Sequence, residues 1–334
     1  MKRYFGSNYN FLIVLSGLII LIGKNHFFLG SIYAILLWPL IIASGLKLIS
    51  VLRSRIAIGS KKTKTWPVLL IGPLLLLSWT YDHLPRLDWS GSAATKKELS
   101  ILSYNLFFKN NYKQQTVNEI KANLPDVLLV QELSSAWHSK LGASVYKHYQ
   151  YRKTFVNNRT RGIGIFSRYP IRSHHLIKNR RGLPIFQVCE LTVQGEKVVL
   201  VNAHMSSPAR VVEDPDAPFW PVYQANYALR EAEWAELEAY LSEYFPEHPH
   251  IVAGDLNTMK MEGLYRQIRH SWTDVFAKQG EGMGLTFPNS AHFPFAIITL
   301  DYILGRGVKP LEARVLKKGS SDHFAIWGKV AICE

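Results

Sequence analysis

Cysteine is scarce in this chain, which has only Cys189 and Cys333 among its 334 residues. Two cysteines cannot form the disulfide framework of a small secreted domain, and they lack the clustered spacing of a structural zinc site. We expect both to be small buried apolar residues, although an exported domain would also allow them to pair. No internal repeat or low-complexity tract is present, which excludes repeat architectures. The apolar fraction of 48% excludes a disordered chain.

Acidic residues are also few, with 25 Asp and Glu against 39 Lys and Arg, and the deficit is uneven along the chain. Residues 1–99 hold 3 acidic and 12 basic residues, whereas residues 100–334 hold 22 and 27. The first third is also the most apolar part of the chain. Basic residues that flank long apolar runs indicate membrane insertion before they indicate nucleic-acid binding. Most of the net charge of +14 therefore reflects this N-terminal part.

Three long uncharged runs lie within the N-terminal third. Each is close to the length of about 20 residues that a helix needs to cross a bilayer. The predicted transmembrane helices cover about residues 4–23, 27–46 and 65–81. We therefore predict a membrane anchor over 1–81 and a linker over 82–98 that is rich in turn-forming residues.

The loop at 53–64 carries five basic residues and no acidic one. The positive-inside rule places this loop and the N-terminus in the cytoplasm of a bacterial inner-membrane protein. Three crossings would put everything after Asp82 in the periplasm or outside the cell. If one outer run does not cross the membrane, this topology is inverted.

From Leu99 onward, short apolar runs separated by turns predict an α/β domain over 99–334. The predicted strands are 99–105, 126–132, 162–167, 185–193, 197–204, 250–255, 301–304 and 324–332. Helical spacing predicts helices over 112–123 and 228–245, the second with a solvated face of five glutamates. The segment 206–223, rich in proline and aromatic residues, is expected to be a loop that shapes a pocket, touches a bilayer or packs on its own domain.

Polar side chains fall repeatedly at the ends of these predicted strands. Any one of them alone is typical of a cap or turn residue, but strand ends can converge, and the set therefore indicates a site. Its members can ligate a hard metal ion or contact a phosphate. They are Asn105, Glu132, His204, Asp255, Asn257, Asp301, Asp322 and His323.

The order of these motifs resembles the endonuclease/exonuclease/phosphatase superfamily of deoxyribonuclease I-like phosphoesterases. The motifs are Asn105, Gln131-Glu132, Gly162 to Arg168, Asn202-x-His204, Gly254-Asp255-x-Asn257, Asp301-Tyr302 and Ser321-Asp322-His323. The resemblance covers 99–334. It implies a four-layer α/β (α+β) sandwich with two mixed β-sheets, here preceded by the N-terminal transmembrane segment, and metal-dependent hydrolysis of phosphoester bonds.

The resemblance also implies a metal site. Glu132 would be the primary ligand of Mg²⁺ or Mn²⁺, with Asn105 and Asp322 nearby, because hard oxygen donors suit these ions. A cation at the phosphate would offset the negative charge that makes phosphodiesters resist attack by water.

Catalytic roles follow from the same resemblance. Asp255 would orient or deprotonate the attacking water, and Asn257 would bond a phosphate oxygen. His204 and His323 would contact the phosphoryl group, while Asp301 would fix the tautomer of His323 and raise its pKa. The general base is not settled by the sequence.

The substrate is less defined than the chemistry. Residues 133–189 contain eleven basic residues and no acidic one, which would attract a nucleic-acid backbone or anionic lipid headgroups, or would simply form a solvated loop surface. The leading hypothesis is a membrane-anchored, nuclease-like phosphodiesterase. The alternatives are a phospholipid- or sphingomyelin-type phosphodiesterase or phosphatase and, last, an inactive binding module. The expected partners are the lipid bilayer and the phosphodiester substrate.

Overall fold

A computed structural model of the chain describes residues 97–208, 219–289 and 296–333, together with the helical positions 41, 42, 46 and 74. The chain divides into two compact units, Pro85–Thr258 with Ser271–Glu334, and Met1–Leu84 with Met259–His270. Apart from those four positions, the predicted membrane anchor and linker lie outside the described residues. Among the helices that are described, none combines the length and hydropathy needed to cross a membrane.

Two six-stranded sheets form the framework of the described part of the chain from residue 97 onward. Their strands are β1 (Glu98–Asn105), β2 (Val127–Gln131), β3 (Tyr151–Phe155), β4 (Ile163–Ser167), β5 (Ile171–Lys178), β6 (Pro184–Val193), β7 (Glu196–His204), β8 (His250–Asp255), β9 (Thr273–Asp274), β10 (Asp301–Arg306), β11 (Val308–Leu316) and β12 (Ala325–Ile332). The first sheet has the order β11-β12-β1-β2-β4-β3, and the second has the order β5-β6-β7-β8-β10-β9. Both are mixed, because β1 pairs parallel to β2 and β7 pairs parallel to β8.

Helices connect several of the strands along the chain. They are α1 (Lys113–Ala122), α2 (Ser135–Gly142), α3 (Phe219–Tyr244), α4 (Gly263–Ser271) and α5 (Val275–Gln279), with a 3₁₀ turn at Tyr146–His148. Apolar residues of α1 and α2 share a buried cluster with the outward-facing residues of β1 and β2. The helix α3 contacts the second sheet, where Tyr240 stacks on His175 of β5 at 4.8 Å between ring centroids. The resulting four layers confirm the fold class predicted from the sequence.

The two sheets enclose a core that follows the two-residue period of a strand. Leu99 and Ile101 of β1 and Leu200 of β7 belong to this buried inter-sheet cluster. The next inward positions along those strands are polar and equally buried, namely Ser103, Asn105, Asn202 and His204. The interface between the sheets therefore changes from apolar to polar at one end, and that end holds the site.

All eight predicted strands are present, with ends that differ by at most two residues. The strands β3, β5, β9 and β11 were not predicted. The edge strands β3 and β5 are largely exposed and basic, so they lack the apolar alternation on which the prediction depends. Many of the basic residues in 133–189 therefore lie on strands as well as in loops.

The helix α3 corrects two further expectations. It begins at Phe219, so the last five residues of the predicted proline- and aromatic-rich loop are helical, with Pro221 in the first turn where proline is tolerated. Its glutamates do not form one solvated face, because Glu233 is only 3% exposed. Of the two cysteines, Cys189 is buried as expected, whereas Cys333 is exposed and neither is in a disulfide.

Candidate active site

The predicted site residues meet at one end of the sandwich, where β1, β2, β7 and β8 finish and β10 begins. Asp255 is the last residue of β8 and pairs in register with both His204 of β7 and Asp301 of β10. The first sheet contributes Asn105 from β1 and Glu132 immediately after β2. Register alone therefore brings the second-sheet groups side by side, and the packing of the two sheets adds the others.

The carboxylate of Asp255 lies at the centre of this group. Its Oδ2 accepts a hydrogen bond from Nδ2 of Asn105 at 3.1 Å, and it lies 3.7 Å from Nε2 of His204 and 3.8 Å from Nε2 of His323. The side chain is buried, and burial raises its pKa to about 7, with Asp301 adding to the rise and His323 opposing it. A carboxyl group with this pKa can exchange a proton near neutral pH.

Gly254 explains why this strand end has its particular sequence. Its φ of +152° lies in a region that residues with a side chain rarely adopt. A Cβ atom there would also lie 2.0 Å from the carbonyl oxygen of Ala203. Only glycine lets β8 approach β7 closely enough to place Asp255 beside His204.

His323 forms a buried pair with Asp301. Nδ1 of the imidazole and Oδ2 of the carboxylate are 2.8 Å apart, and both side chains are at most 7% exposed. Burial alone lowers the pKa of His323, but the charges of Asp301, Asp255 and Asp322 outweigh that effect and raise the pKa to about 10. These charges favour the imidazolium form of the ring, and the structure places the two residues that the family resemblance paired next to each other.

The first-sheet side of the site contains backbone strain. Glu132 has a φ of +58°, and its Oε2 accepts a hydrogen bond from the backbone N–H of Phe108 at 3.0 Å. Phe107 has a φ of +56°, and its N–H donates to Oδ1 of Asn105 at 3.1 Å. Left-handed conformations of such residues cost free energy and are concentrated at functional sites. The loop after β1 therefore fixes the orientation of both Asn105 and Glu132.

The loop that carries Asp322 and His323 is tied to the end of β1. Ser321 donates from Oγ to the backbone oxygen of Asn105 at 2.6 Å and accepts from the N–H of His323 at 3.2 Å. Asp322 is partly buried, and burial is the main cause that raises its pKa. The same serine thus ties the loop that carries both predicted groups to the end of β1.

The donor set is suitable for a divalent cation. Glu132, Asn105 and Asp322 offer only oxygen donors, which Mg²⁺ and Mn²⁺ prefer. Oδ1 of Asp301 is buried without a hydrogen-bond partner among the described residues, so the site contains negative charge that a cation would offset. A second cluster, Asp255, Asp301 and His323, has ligand-type atoms within 4.8 Å of one another. Because Nδ1 of His323 already pairs with Asp301, we interpret that cluster as an acid–base group.

Asn257 has a partner that the sequence did not indicate. Its Nδ2 donates to the backbone oxygen of Met205 at 3.1 Å, and its N–H donates to Oδ1 of Asp255 at 2.9 Å. Its φ is +50°, a conformation that asparagine tolerates better than most residues. The side chain therefore fixes the segment after His204 with one amide hydrogen.

Two buried amides connect the sheets directly behind the site. Gln131 donates from Nε2 to Oδ1 of Asn202 at 2.7 Å, and Asn202 donates from Nδ2 to the carbonyl oxygens of Val130 and Gly164. Both residues belong to the motifs quoted above, yet their role as a bridge between the sheets depends on tertiary packing. Sequence reasoning also missed Arg161, which donates to the backbone oxygen of His204 at 2.7 Å.

A further buried network holds the loop before β12. Glu119 of α1 accepts a hydrogen bond from the N–H of Lys318 at 2.5 Å, and burial raises the pKa of this carboxyl group. Ser320 donates to the backbone oxygen of Tyr112 and contacts Thr116. These contacts join residues about 200 positions apart in the sequence, so no sequence pattern could identify them.

Comparisons with known proteins agree with this architecture. Solved structures with the same fold include two endonuclease/exonuclease/phosphatase proteins, from Bacteroides thetaiotaomicron (15% identity, TM-score 0.57, 72% of this chain and 100% of the other) and Bacteroides vulgatus (16%, 0.57, 71% and 100%). TDP2 of D. rerio complexed with a single strand DNA product is similar as well, with 17% identity and a TM-score of 0.55 over 70% of this chain and 98% of the other. At these identities the likeness concerns the fold.

Sequence comparison gives a more direct assignment. No curated protein matches this chain in sequence. The sequence profile of the Endonuclease/Exonuclease/phosphatase family, however, matches residues 102–323, which is more than half of the 334 residues and includes every site residue described above. The chain therefore belongs to the Endonuclease/Exonuclease/phosphatase family.

Proposed function

We propose that this protein is a divalent-metal-dependent phosphodiesterase with nuclease-like activity. The observation that carries the proposal is the convergence on Oδ2 of Asp255, where an amide and two imidazoles meet a buried carboxylate. Such a group combines a proton acceptor with a cationic donor, the His323 imidazolium, in a buried setting, which phosphodiester hydrolysis requires. Family membership supports the same reaction class.

The chain's own residues provide most of the chemistry. Asp255 accepts a proton from the attacking water, and the pKa of about 7 suits this exchange near neutral pH. His323, kept as an imidazolium by Asp301, donates to the phosphoryl oxygens as charge develops on them. His204 contacts the same group from the end of β7, and the remaining amide hydrogen of Asn257 bonds a phosphate oxygen.

The metal would be held by Glu132, Asn105 and Asp322. When bound, Mg²⁺ or Mn²⁺ supplies Lewis-acid stabilisation of the phosphate charge. Oε2 of Glu132 and Oδ1 of Asn105 accept backbone hydrogen bonds from the loop after β1, so their positions are fixed before a metal binds.

Two basic turns support a polyanionic substrate. The β3–β4 turn lies beside the end of β2, because Phe155 pairs with Ile163 and Ile163 pairs with Gln131. The β5–β6 turn lies beside the end of β7, because Ile177 and Ala203 both pair with Phe186. Both turns are therefore at the catalytic end of their sheets. Exposed basic residues on or next to them are Arg159, Lys178, Arg180 and Arg181.

Exposed Lys and Arg next to a phosphodiesterase site favour a substrate whose phosphates extend beyond the bond that is cut. The alternative explanation for these basic residues is structural, because charged residues at the edges of a sheet prevent edge-to-edge association. The double variant Arg159→Ala/Arg180→Ala tests between them, with Lys121→Ala/Lys309→Ala on α1 and β11 as the control of equal charge. Nucleic-acid binding predicts a KM for a single-stranded oligonucleotide that rises, with a weaker salt dependence, only in the first variant.

A lipid phosphodiesterase is the second candidate, and the apolar N-terminal third favours it. We propose that residues 1–81 anchor the chain in a bacterial inner membrane, with 82–98 as a linker and the catalytic domain over 99–334 on the outer side. Tethering would raise the local concentration of a phospholipid substrate. Reporter fusions after residue 98 test the topology, and a cytoplasmic signal would contradict the three-span arrangement.

The experiment that tests the proposed function is a substrate panel on the full-length chain, with Mg²⁺, with Mn²⁺ and with EDTA. Plasmid DNA, RNA, phosphatidylinositol and sphingomyelin cover the alternatives. We expect metal-dependent cleavage of nucleic acid that EDTA abolishes. Cleavage of lipid alone would favour the second candidate, and activity that survives EDTA would contradict the metal requirement.

A further inference from the structure

The three-residue segment 204–206, made of the last residue of β7 and the two residues after it, is fixed by hydrogen bonds at each position. The N–H of Met205 donates to the backbone oxygen of Asp255 at 3.0 Å. The backbone oxygen of Met205 accepts from Nδ2 of Asn257 at 3.1 Å. These two bonds tie the segment to the residues that follow β8.

The next residue is held by a buried carboxylate from α3. Ser206 donates from its N–H to Oε2 of Glu233 at 2.9 Å and from Oγ to Oε1 at 2.5 Å. Arg161 completes the arrangement, since Nη1 donates to the backbone oxygen of His204 at 2.7 Å and Nη2 donates to Oγ of Ser206 at 3.2 Å. One guanidinium group thus bonds both ends of the three-residue segment.

The backbone next to Arg161 contacts the segment that follows Glu132, one of the proposed metal ligands. The residue after it, Gly162, accepts a hydrogen bond from the N–H of Leu133 at 3.1 Å. A Cβ at Gly162 would lie 2.0 Å from the carbonyl oxygen of Leu133, so the two backbones are in close contact. Leu133 directly follows Glu132. The Arg161 side chain therefore spans from the segment beside Glu132 in the first sheet to His204 in the second.

Glu233 is an unusual residue for a merely structural contact. It is 3% exposed, and burial raises its pKa, while the hydrogen bonds from Ser206 and the charges of Arg161 and Arg230 favour the ionised form. Arg230 is fully buried on the same helix. Burial of a carboxylate costs desolvation free energy. Both oxygens of the Glu233 carboxylate accept hydrogen bonds from the same residue, Ser206.

We propose that Arg161 and Glu233 are positioning residues that hold His204 at a fixed distance from Glu132 across the two sheets. Arg161 fixes the position of the His204 backbone through the hydrogen bond from Nη1. Glu233 fixes the position of Ser206, whose Oγ accepts the second hydrogen bond of Arg161. Neither residue acts on the substrate. The inference rests on the proposed phosphodiesterase function, in which His204 contacts the phosphoryl group.

The first test uses turnover of a small phosphodiester, bis(p-nitrophenyl) phosphate, by the full-length chain. Arg161→Ala should lower kcat about 10- to 100-fold, the scale expected for a displaced catalytic group, with little change in KM. Glu233→Ala should behave similarly, whereas Glu233→Gln, which keeps the shape and one acceptor, should retain most of the activity. A raised KM with unchanged kcat would instead show that Arg161 contacts the substrate.

A double-mutant cycle separates positioning from general stability. In a His204→Ala background, Arg161→Ala should cause no further loss of kcat, because its effect passes through His204. An additive loss would overturn the proposal. The matched control is the ion pair between Glu238 of α3 and Arg306, whose Nη2 lies 2.9 Å from both carboxylate oxygens at the far end of β10. Arg306→Ala should leave kcat unchanged.

A second readout does not depend on activity. The ring signals of His204 in an NMR spectrum should be single and sharp in the wild-type protein and in Arg306→Ala, and broadened or split in Arg161→Ala. If the wild-type protein hydrolyses no phosphodiester, the proposed function fails while this readout still tests the positioning role. Identical His204 signals in all three proteins would refute that role.

Discussion

Replacement of Asp301 by asparagine should remove the charge that keeps His323 protonated. The two side chains form a buried pair at 2.8 Å. The rise of the His323 pKa from 6.5 to about 10 corresponds to about 5 kcal/mol in favour of the imidazolium, at 1.36 kcal/mol per pH unit. Burial opposes this rise, and Asp301 is the largest of the charges that cause it. Asp301→Asn should therefore lower the pKa by about two units or more, towards neutrality.

NMR titration of the His323 ring, with EDTA present, measures this change directly. At pH 9 the variant should also lose at least about 10-fold in turnover, because the donor to the phosphoryl group is then mostly neutral in the variant and still mostly protonated in the wild-type protein. Asp126→Asn is a suitable control, since that partly exposed carboxylate bonds Ser100 and Arg168 before the start of β2. The reasoning is refuted if His323 titrates at the same pH in the wild-type protein and in Asp301→Asn.

Three further predictions concern stability and are all measured by urea unfolding. Gly254→Ala places a Cβ 2.0 Å from a carbonyl oxygen and should cost about 3 kcal/mol or more. Asn202→Ala leaves the buried amide of Gln131 without its 2.7 Å partner and should cost about 1–3 kcal/mol. Burial lowers the pKa of His250 to about 4, so its contribution to stability is present above pH 6.5 and is lost as the pH falls towards 4. This loss amounts to about 3 kcal/mol and should disappear in His250→Phe. A cost below about 0.5 kcal/mol for either of the first two, or an unchanged pH slope for the third, would contradict these assignments.

The interior of the fold was predictable from the sequence because its apolar side chains follow the two-residue period of a strand. Inward positions of β1, β7 and β8 alternate with outward ones, and the motif residues occupy the last inward positions of the same series. The strand ends, and with them Asn105, His204 and Asp255, could therefore be placed from the sequence. The pairing of Asp301 with His323 came from the family resemblance, and the structure agrees with it.

The parts that were missed depend on tertiary contacts. The strands β3 and β5 lie at sheet edges, where solvent exposure removes the apolar alternation that identifies a strand. Glu233 belongs by sequence to a set of helix glutamates that all look solvated, and only its contact with Ser206 distinguishes it. Arg161 is one of eleven basic residues in its stretch, and its role depends on where the β3–β4 turn meets β7.

The most direct test of the proposed chemistry is the turnover of bis(p-nitrophenyl) phosphate by the full-length chain with Mg²⁺ or Mn²⁺, compared with Asp255→Asn. Asp255 is the residue at which both sheets contribute donors, so its loss should reduce kcat by at least about 100-fold while the protein remains folded. A wild-type protein without metal-dependent turnover, or an Asp255→Asn variant with the wild-type rate, would contradict the assignment of this site as a phosphodiesterase centre.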